Sequence, residues 1–170
     1  HNIAQLPLIF ELMENEGIQR ACFYHLVYSG RGSLEDDISH DETRQALDLI
    51  FSKAQEFTRR GIQKELLTVD NHADAVYLYM KALEQNEEKA ATILNKLKMN
   101  GGNRTGIAIC NIDHLGNVHP DQFTPSITFG NVKEQPFRDI WHGTHPVLEG
   151  LRDRKPLLNG RCKSCKYLDI

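Results

Sequence analysis

Residues 18–32 read IQRACFYHLVYSGRG. The first ten are rich in aromatic and branched side chains and almost continuously apolar. Such a run, closed by turn residues, reads as a strand buried on both faces, the kind found in parallel sheets. It ends at Ser29-Gly30-Arg31-Gly32, where two glycines permit backbone shapes that other residues resist. Upstream, Leu6, Ile9, Phe10 and Met13 recur at helical spacing and Gly17 offers a stop, which predicts a helix over about 5–16. Downstream, Ser39 and Glu42 have the spacing of a capping box. Leu47, Ile50, Ala54 and Phe57 then mark the buried face of a helix ending at Gly61. LLTVD at 66–70 is a second short strand. Strand, helix, strand in this order predicts a right-handed parallel crossover and an α/β fold.

Further along, 73–99 reads as helix with a break near 85–86, and Gly101-Gly102-Asn103 marks a domain boundary. The character then changes. TGIAICNI at 105–112 reads as a strand, followed by a β-hairpin around Gly116-Asn117. ITFGNV at 127–132 leads into a short helix, PFRDIW, with Pro136 at its start. The remainder is basic and reads as loop, ending in RCKSCKYLDI at 161–170.

Composition narrows the function classes. The 170 residues are 40% hydrophobic and 25% charged, which suits a packed core rather than global disorder. Twenty Lys and Arg against 23 Asp and Glu give a net charge of −3, without the basic excess usual in nucleic-acid binders. No apolar run approaches the roughly 18 residues of a membrane span. The first 17 residues carry acids where a signal peptide places small residues, so the expected location is cytoplasmic. Four cysteines are too few for a disulfide-stapled scaffold of this length.

The chemistry-bearing residues are few. Cys162 and Cys165, separated by two residues, can point at one metal, because a tight turn converges both sulfurs. Arg161, Lys163 and Lys166 favour the thiolate form. Cys110 is the natural third ligand. With His114 or His119 the three thiolates suit zinc; with a ligand from elsewhere they suit an iron–sulfur cluster, and spacing does not separate the two. A redox dithiol and inert thiols are the blander readings. Arg31 and the loop amides suit a carboxylate or other anion at the end of a strand, against a plain tight turn with a solvated arginine. His25 and Tyr28 line a pocket or simply pack. Asp70, Asn71, His72 and Asp74 form either a polar site or a helix cap. Trp141 reads as a core anchor, with His142 and His145 as surface histidines. No serine–histidine–acid order, phosphate loop or zinc-protease helix is present.

Several segments together resemble the C-terminal half of radical S-adenosylmethionine (SAM) enzymes that carry a SPASM or twitch extension, above all the NirJ-like proteins of heme d1 and alternative heme biosynthesis. They are FYHLVYSGRG at 23–32, LTVDNHAD at 67–74, AICNIDHLGNVHPDQF at 108–123, FGNVKEQPFRDIW at 129–141 and CKSCKYLDI at 162–170. The resemblance implies an α/β layout in which 1–70 is the C-terminal part of a partial TIM barrel, with 19–28 its last regular strand. It implies a helical connector over 71–104 and a truncated SPASM/twitch-like auxiliary iron–sulfur domain over 105–170. Cys110, Cys162 and Cys165 would ligate a 4Fe–4S cluster. Asp121 stands where the broader pattern has a cysteine and is a further possible ligand. The pattern also expects a cysteine shortly after residue 170. Ser29, Gly30, Arg31, His25 and Tyr28 would face SAM or substrate.

The implied parent enzyme alters acetate or propionate side chains of an iron tetrapyrrole, with an electron donor that the residues do not identify. The chain lacks the CxxxCxxC motif that holds the catalytic 4Fe–4S cluster of that family, so the segment alone is expected to be inactive, with no catalytic residue of its own and no nucleic-acid or membrane partner. Two rivals stand beside this reading: a non-enzymatic zinc-binding module, and a radical SAM peptide maturase using the same auxiliary domain.

Overall fold

The computed structural model describes residues 2–168, and only the backbone at Glu35. The chain forms two compact units, 1–87 and 88–170. The division falls at the break within the helical stretch 73–100.

In the first unit, α1 (Leu6–Asn15) buries Leu6, Phe10 and Met13. Gly17 follows it at φ +65°. Two five-residue strands, β1 (Arg20–Tyr24) and β2 (Glu65–Val69), pair in parallel from Arg20↔Glu65 to Tyr24↔Val69. Parallel neighbours cannot be joined by a tight turn, so the chain crosses over through a helix. That helix is α2 (His40–Arg59), and its N-terminus carries the expected capping box between Ser39 and Glu42. It buries Leu47, Ile50 and Phe57. Phe10, Met13, Ile50 and Phe57 form the core, with Ala21, Phe23 and Leu66 packed against it.

One expectation is overturned here. Along β1 exposure alternates: Ala21 and Phe23 turn inward, while Arg20, Cys22 and Tyr24 are exposed or nearly so, Tyr24 at 69%. The strand is covered on one face rather than two. The apolar run had hidden the period-2 alternation because the outward positions hold a cysteine and a tyrosine.

After β2, Asp70 takes φ +70° and the Asn71 side chain accepts the Ala73 amide at 3.0 Å, which starts α3 (Ala73–Gln85). Asn86 is extended and separates α3 from α4 (Glu87–Asn100).

The second unit holds a three-stranded antiparallel sheet in the order β3 (Asn111–Ile112), β4 (Asn117–His119), β5 (Gly130–Asn131). The hairpin turns through Gly116 at φ +95°. The strand expected over 105–112 shrinks to its last two residues. Before it, the Arg104 carbonyl accepts the amides of Ile107, Ala108 and Ile109, a tight turn. Gly106 permits it at φ +75°, where a Cβ would lie 2.6 Å from Leu151 Cβ. Val118, Phe129, Ile140 and Leu148 make the core. As expected, Pro136 precedes α5 (Phe137–Trp141). Trp141 packs only partly against the core; its ring stacks on Phe137 and lies under the Arg152 guanidinium.

The C-terminal stretch read as loop contains α6 (Pro146–Arg152) and the four-residue α7 (Gly160–Lys163). Both are too short for hydrophobic periodicity to register. The first of them forms because His145 Nδ1 accepts the Val147 amide, Pro146 presets the first turn, and Leu148 is fully buried.

Leu148→Ala is expected to destabilise the second unit by about 2–5 kcal/mol, the usual cost of a buried leucine cavity. Urea unfolding followed through Trp141, the one tryptophan in the chain, checks this.

Candidate functional site

The cysteine pair occupies the end of α7 and the turn after it. The Cys165 amide donates to the Cys162 carbonyl at 3.3 Å, and the Tyr167 amide donates to Cys165 Sγ at 3.4 Å. Both thiols are exposed, and all four cysteines are free. An exposed pair in a tight turn, one sulfur already accepting a backbone N–H, suits two thiolates sharing a soft cation. Arg161, Lys163 and Lys166 add positive charge around it.

Cys110 sits differently. It precedes β3 and packs against the Val118–Leu148 core, and burial pushes its thiol above the ordinary value. Among the described residues no three His, Cys, Asp or Glu side chains are gathered as a metal-ligand set. The structure therefore does not bring Cys110 together with the Cys162–Cys165 pair. The pair fits half a cluster site; the four-residue set does not assemble.

Asp121 has a structural task instead. One oxygen accepts the Phe123 amide and the Thr124 hydroxyl at 2.9 and 2.8 Å, and the other accepts the Thr105 hydroxyl at 3.1 Å. This ties the segment after β4 to the turn before β3.

The histidines read as zinc ligands also divide. His114 is exposed in the hairpin turn. His119 is buried, with Nδ1 2.7 Å from the Ile127 carbonyl and Nε2 3.2 Å from Asp113 Oδ2. Both ring nitrogens already face protein acceptors, so neither is open to a metal. Asp113 is the residue that the sequence reading missed. It accepts the amides of Leu115 and Asn117 at 2.9 and 2.8 Å and the Asn117 side chain at 2.9 Å. Those bonds, led by the Asn117 side chain, hold its carboxyl far below the usual carboxylate range. An Asp three residues before a hairpin glycine was the available signal.

In the first unit, a cavity of about 660 Å³ lies along β1, α1 and α2. Its walls include Leu6, Ile9, Phe23 and Leu47, and its polar edge includes His25 and Asp37. His25 Nε2 lies 2.7 Å from Asp74 Oδ2. Tyr28, just beyond, donates to Asp37. That bond holds the Asp37 carboxyl below its ordinary value and the Tyr28 phenol above its own. In the Ser29–Gly32 turn, the Gly32 amide donates to the Ser29 carbonyl at 3.1 Å. A Cβ at Gly32 would stand 2.3 Å from the Val27 carbonyl oxygen. Arg31 is exposed at the tip. In the 70–74 cluster, Asn71 caps α3 while Asp74 reaches His25.

Comparison with known proteins adds to this geometry. Residues 105–166 match SPASM, an iron–sulfur cluster-binding domain. The chain is 47% identical over 175 residues to the Fe-coproporphyrin III synthase of Methanosarcina barkeri, covering 99% of this chain and 44% of that protein. It is 39% identical over 170 residues to the pre-heme d1 synthase of Dinoroseobacter shibae, covering 98% and 42%. A third relative, the AdoMet-dependent heme synthase of Methanosarcina barkeri, is 27% identical over 175 residues, covering 99% and 46%. The chain thus spans less than half the length of each. No solved structure matches it. No described helix is long and apolar enough to cross a membrane.

Because the Asp113 carboxyl is held below its unfolded value, the stability it contributes is present above pH 3.8 and lost as pH falls toward the lowered value. Hydrogen-exchange protection of the Leu115 and Asn117 amides is expected to drop between about pH 5 and about pH 2, and the drop is expected to vanish in Asp113→Asn. Protection that stays level over this range would deny Asp113 its role in the hairpin.

Proposed function

We propose that the chain is the C-terminal portion of a radical SAM enzyme of heme or heme d1 biosynthesis, with the SPASM match over residues 105–166 as its cluster-binding part. The parent reaction alters acetate or propionate side chains of an iron tetrapyrrole. One observation carries this reading: the match to Fe-coproporphyrin III synthase and pre-heme d1 synthase runs through both units, over 98–99% of the chain, and not through the cysteine-bearing end alone.

In this reading the first unit is the closing part of a partial TIM barrel. The parallel β1–α2–β2 crossover supports it, since such barrels repeat that unit and bind ligands at the carboxyl ends of their strands. The loop after β1 lies at such an end. There Arg31 would pair a tetrapyrrole carboxylate and Gly32 lets the turn fold tightly enough to present it.

The second unit holds an auxiliary 4Fe–4S cluster. Cys162 and Cys165 would provide two thiolates, and Cys110 is the further candidate ligand, although the structure leaves it apart from the pair. Such a cluster supplies a one-electron acceptor or an open iron near the substrate. The Tyr167 amide on Cys165 tunes the electron density on that sulfur. Asp121 keeps the loop between β4 and β5 in place through Thr105 and Thr124. The four cysteines at 22, 110, 162 and 165 contain no CxxxCxxC spacing, so the ligands of the catalytic cluster would come from the remainder of the parent protein.

Metal analysis of the anaerobically purified full-length parent tests the ligand assignment. Cys162→Ala with Cys165→Ala is expected to remove about four iron and four sulfide per chain. Cys110→Ala is expected to lower the same content. Unchanged iron and sulfide in the double variant would refute the assignment, and zinc in place of iron in the wild-type protein would make this a structural zinc module.

A further inference from the structure

The cavity beside β1 has a polar corner that the cysteine site does not use. His25 follows β1 directly, and Asp74 lies in the first turn of α3, just past β2. The parallel register brings the two together at 2.7 Å. Asp74 is 3% exposed, and its Oδ1 has no hydrogen-bond partner among the described residues. Asp74 stands in the first turn of a 13-residue helix, where the helix dipole favours an anion. Asp74 is therefore the acceptor, and His25 Nε2 carries the hydrogen. Nδ1 is then the remaining ring nitrogen, without a partner among the described residues, on a side chain that lines the cavity.

Resting on the tetrapyrrole reading above, we infer that His25 anchors a carboxylate side chain of the ligand through Nδ1, and that one proton is taken up from solvent when it binds. A carboxylate only accepts hydrogen bonds, and Nδ1 of a neutral ring already bonded through Nε2–H also only accepts. The contact forms when a proton is added to Nδ1. The imidazolium then donates from both nitrogens, to Asp74 on one side and to the ligand on the other, in two charge-assisted bonds. The same proton compensates the buried negative charge that Asp74 carries with a single partner.

A second carboxylate acts on this ring in the same direction. Asp37, on the segment leading to α2, lines the same cavity and keeps its charge through bonds from the Tyr28 hydroxyl and the Ile38 amide. His40, at the head of α2, acts on Asp37 as well. With two carboxylates already beside it, the corner repels a third until His25 is protonated. Arg31, a fixed cation on the neighbouring turn, would give no such dependence on pH. The apolar walls suit the body of a macrocycle, with its acidic substituent at the His25 end.

The test is titration of the full-length parent with Fe-coproporphyrin III and with its tetramethyl ester, followed by the Soret band at about pH 6 and about pH 8, values that bracket the ordinary histidine range. Wild-type affinity for the free acid is expected to fall about tenfold or more across that range. His25→Gln is expected to bind about tenfold more weakly at the lower pH and to lose the pH dependence. Asp74→Asn, which keeps an acceptor but removes the charge, is expected to flatten the pH dependence too, while thermal unfolding confirms that it folds. The ester is expected to bind with neither pH dependence nor sensitivity to His25. Full affinity and unchanged pH dependence in His25→Gln would overturn the inference and leave the tetrapyrrole reading standing. A wild-type protein that binds neither compound would overturn that reading, and this inference with it.

Discussion

The parallel pairing of β1 with β2 is the constraint on which the first unit depends. Two strands running the same way cannot close through a short turn, so a long connection is obligatory. The chain meets this with the 20-residue α2, whose length is set by the return journey and whose inner face is set by Leu47, Ile50 and Phe57. Both strands then end on the same side. The residues just after them, His25 and Asp74, meet there although 49 positions apart. A polar pair at that end is a consequence of topology, and the cavity beside it follows from the segment that must leave β1 and climb to the start of α2.

The second unit solves a different problem, because its sheet is too small to stabilise itself. Strands of two and three residues make few ladder bonds. Asp113 supplies what the ladder lacks, drawing two amides and one side chain of the turn onto a single carboxylate and meeting His119 behind them. His119 in turn reaches the Ile127 carbonyl and fixes the segment before β5. Asp121 does similar work at the other end, through Thr105 and Thr124. Polar side chains thus set the shape of loops that the four-residue core of Val118, Phe129, Ile140 and Leu148 cannot dictate.

What was legible in the sequence follows from the range of the forces involved. The Ser39 capping box, the break near Asn86, the turn at Gly116 and the helix start at Pro136 are local and read correctly. The parallel crossover was also legible, since strand–helix–strand order admits few topologies. The strand expected at 105–112 failed because Gly106 is needed by Leu151, a contact across 45 positions that periodicity does not see. The two-sided burial of β1 failed because cysteine and tyrosine count as apolar whichever way they point. The tight turn between Cys162 and Cys165 was legible from their spacing. The tasks of Asp74, Asp113 and Asp121 were not, because a carboxylate's role depends on which donors the fold delivers to it.

The cysteines show how the two kinds of information combine. Cys162 and Cys165 are the two ends of one tight turn, so a local motif suffices to present both sulfurs to solvent. Cys110 is positioned by the core, and the burial that positions it also pushes its thiol above the ordinary value. Deprotonating it without a cation would leave a charge against Val118 and its neighbours, an arrangement that low polarity makes costly. Cys110 and the exposed pair therefore differ in kind, one thiol held by the core and two open to solvent.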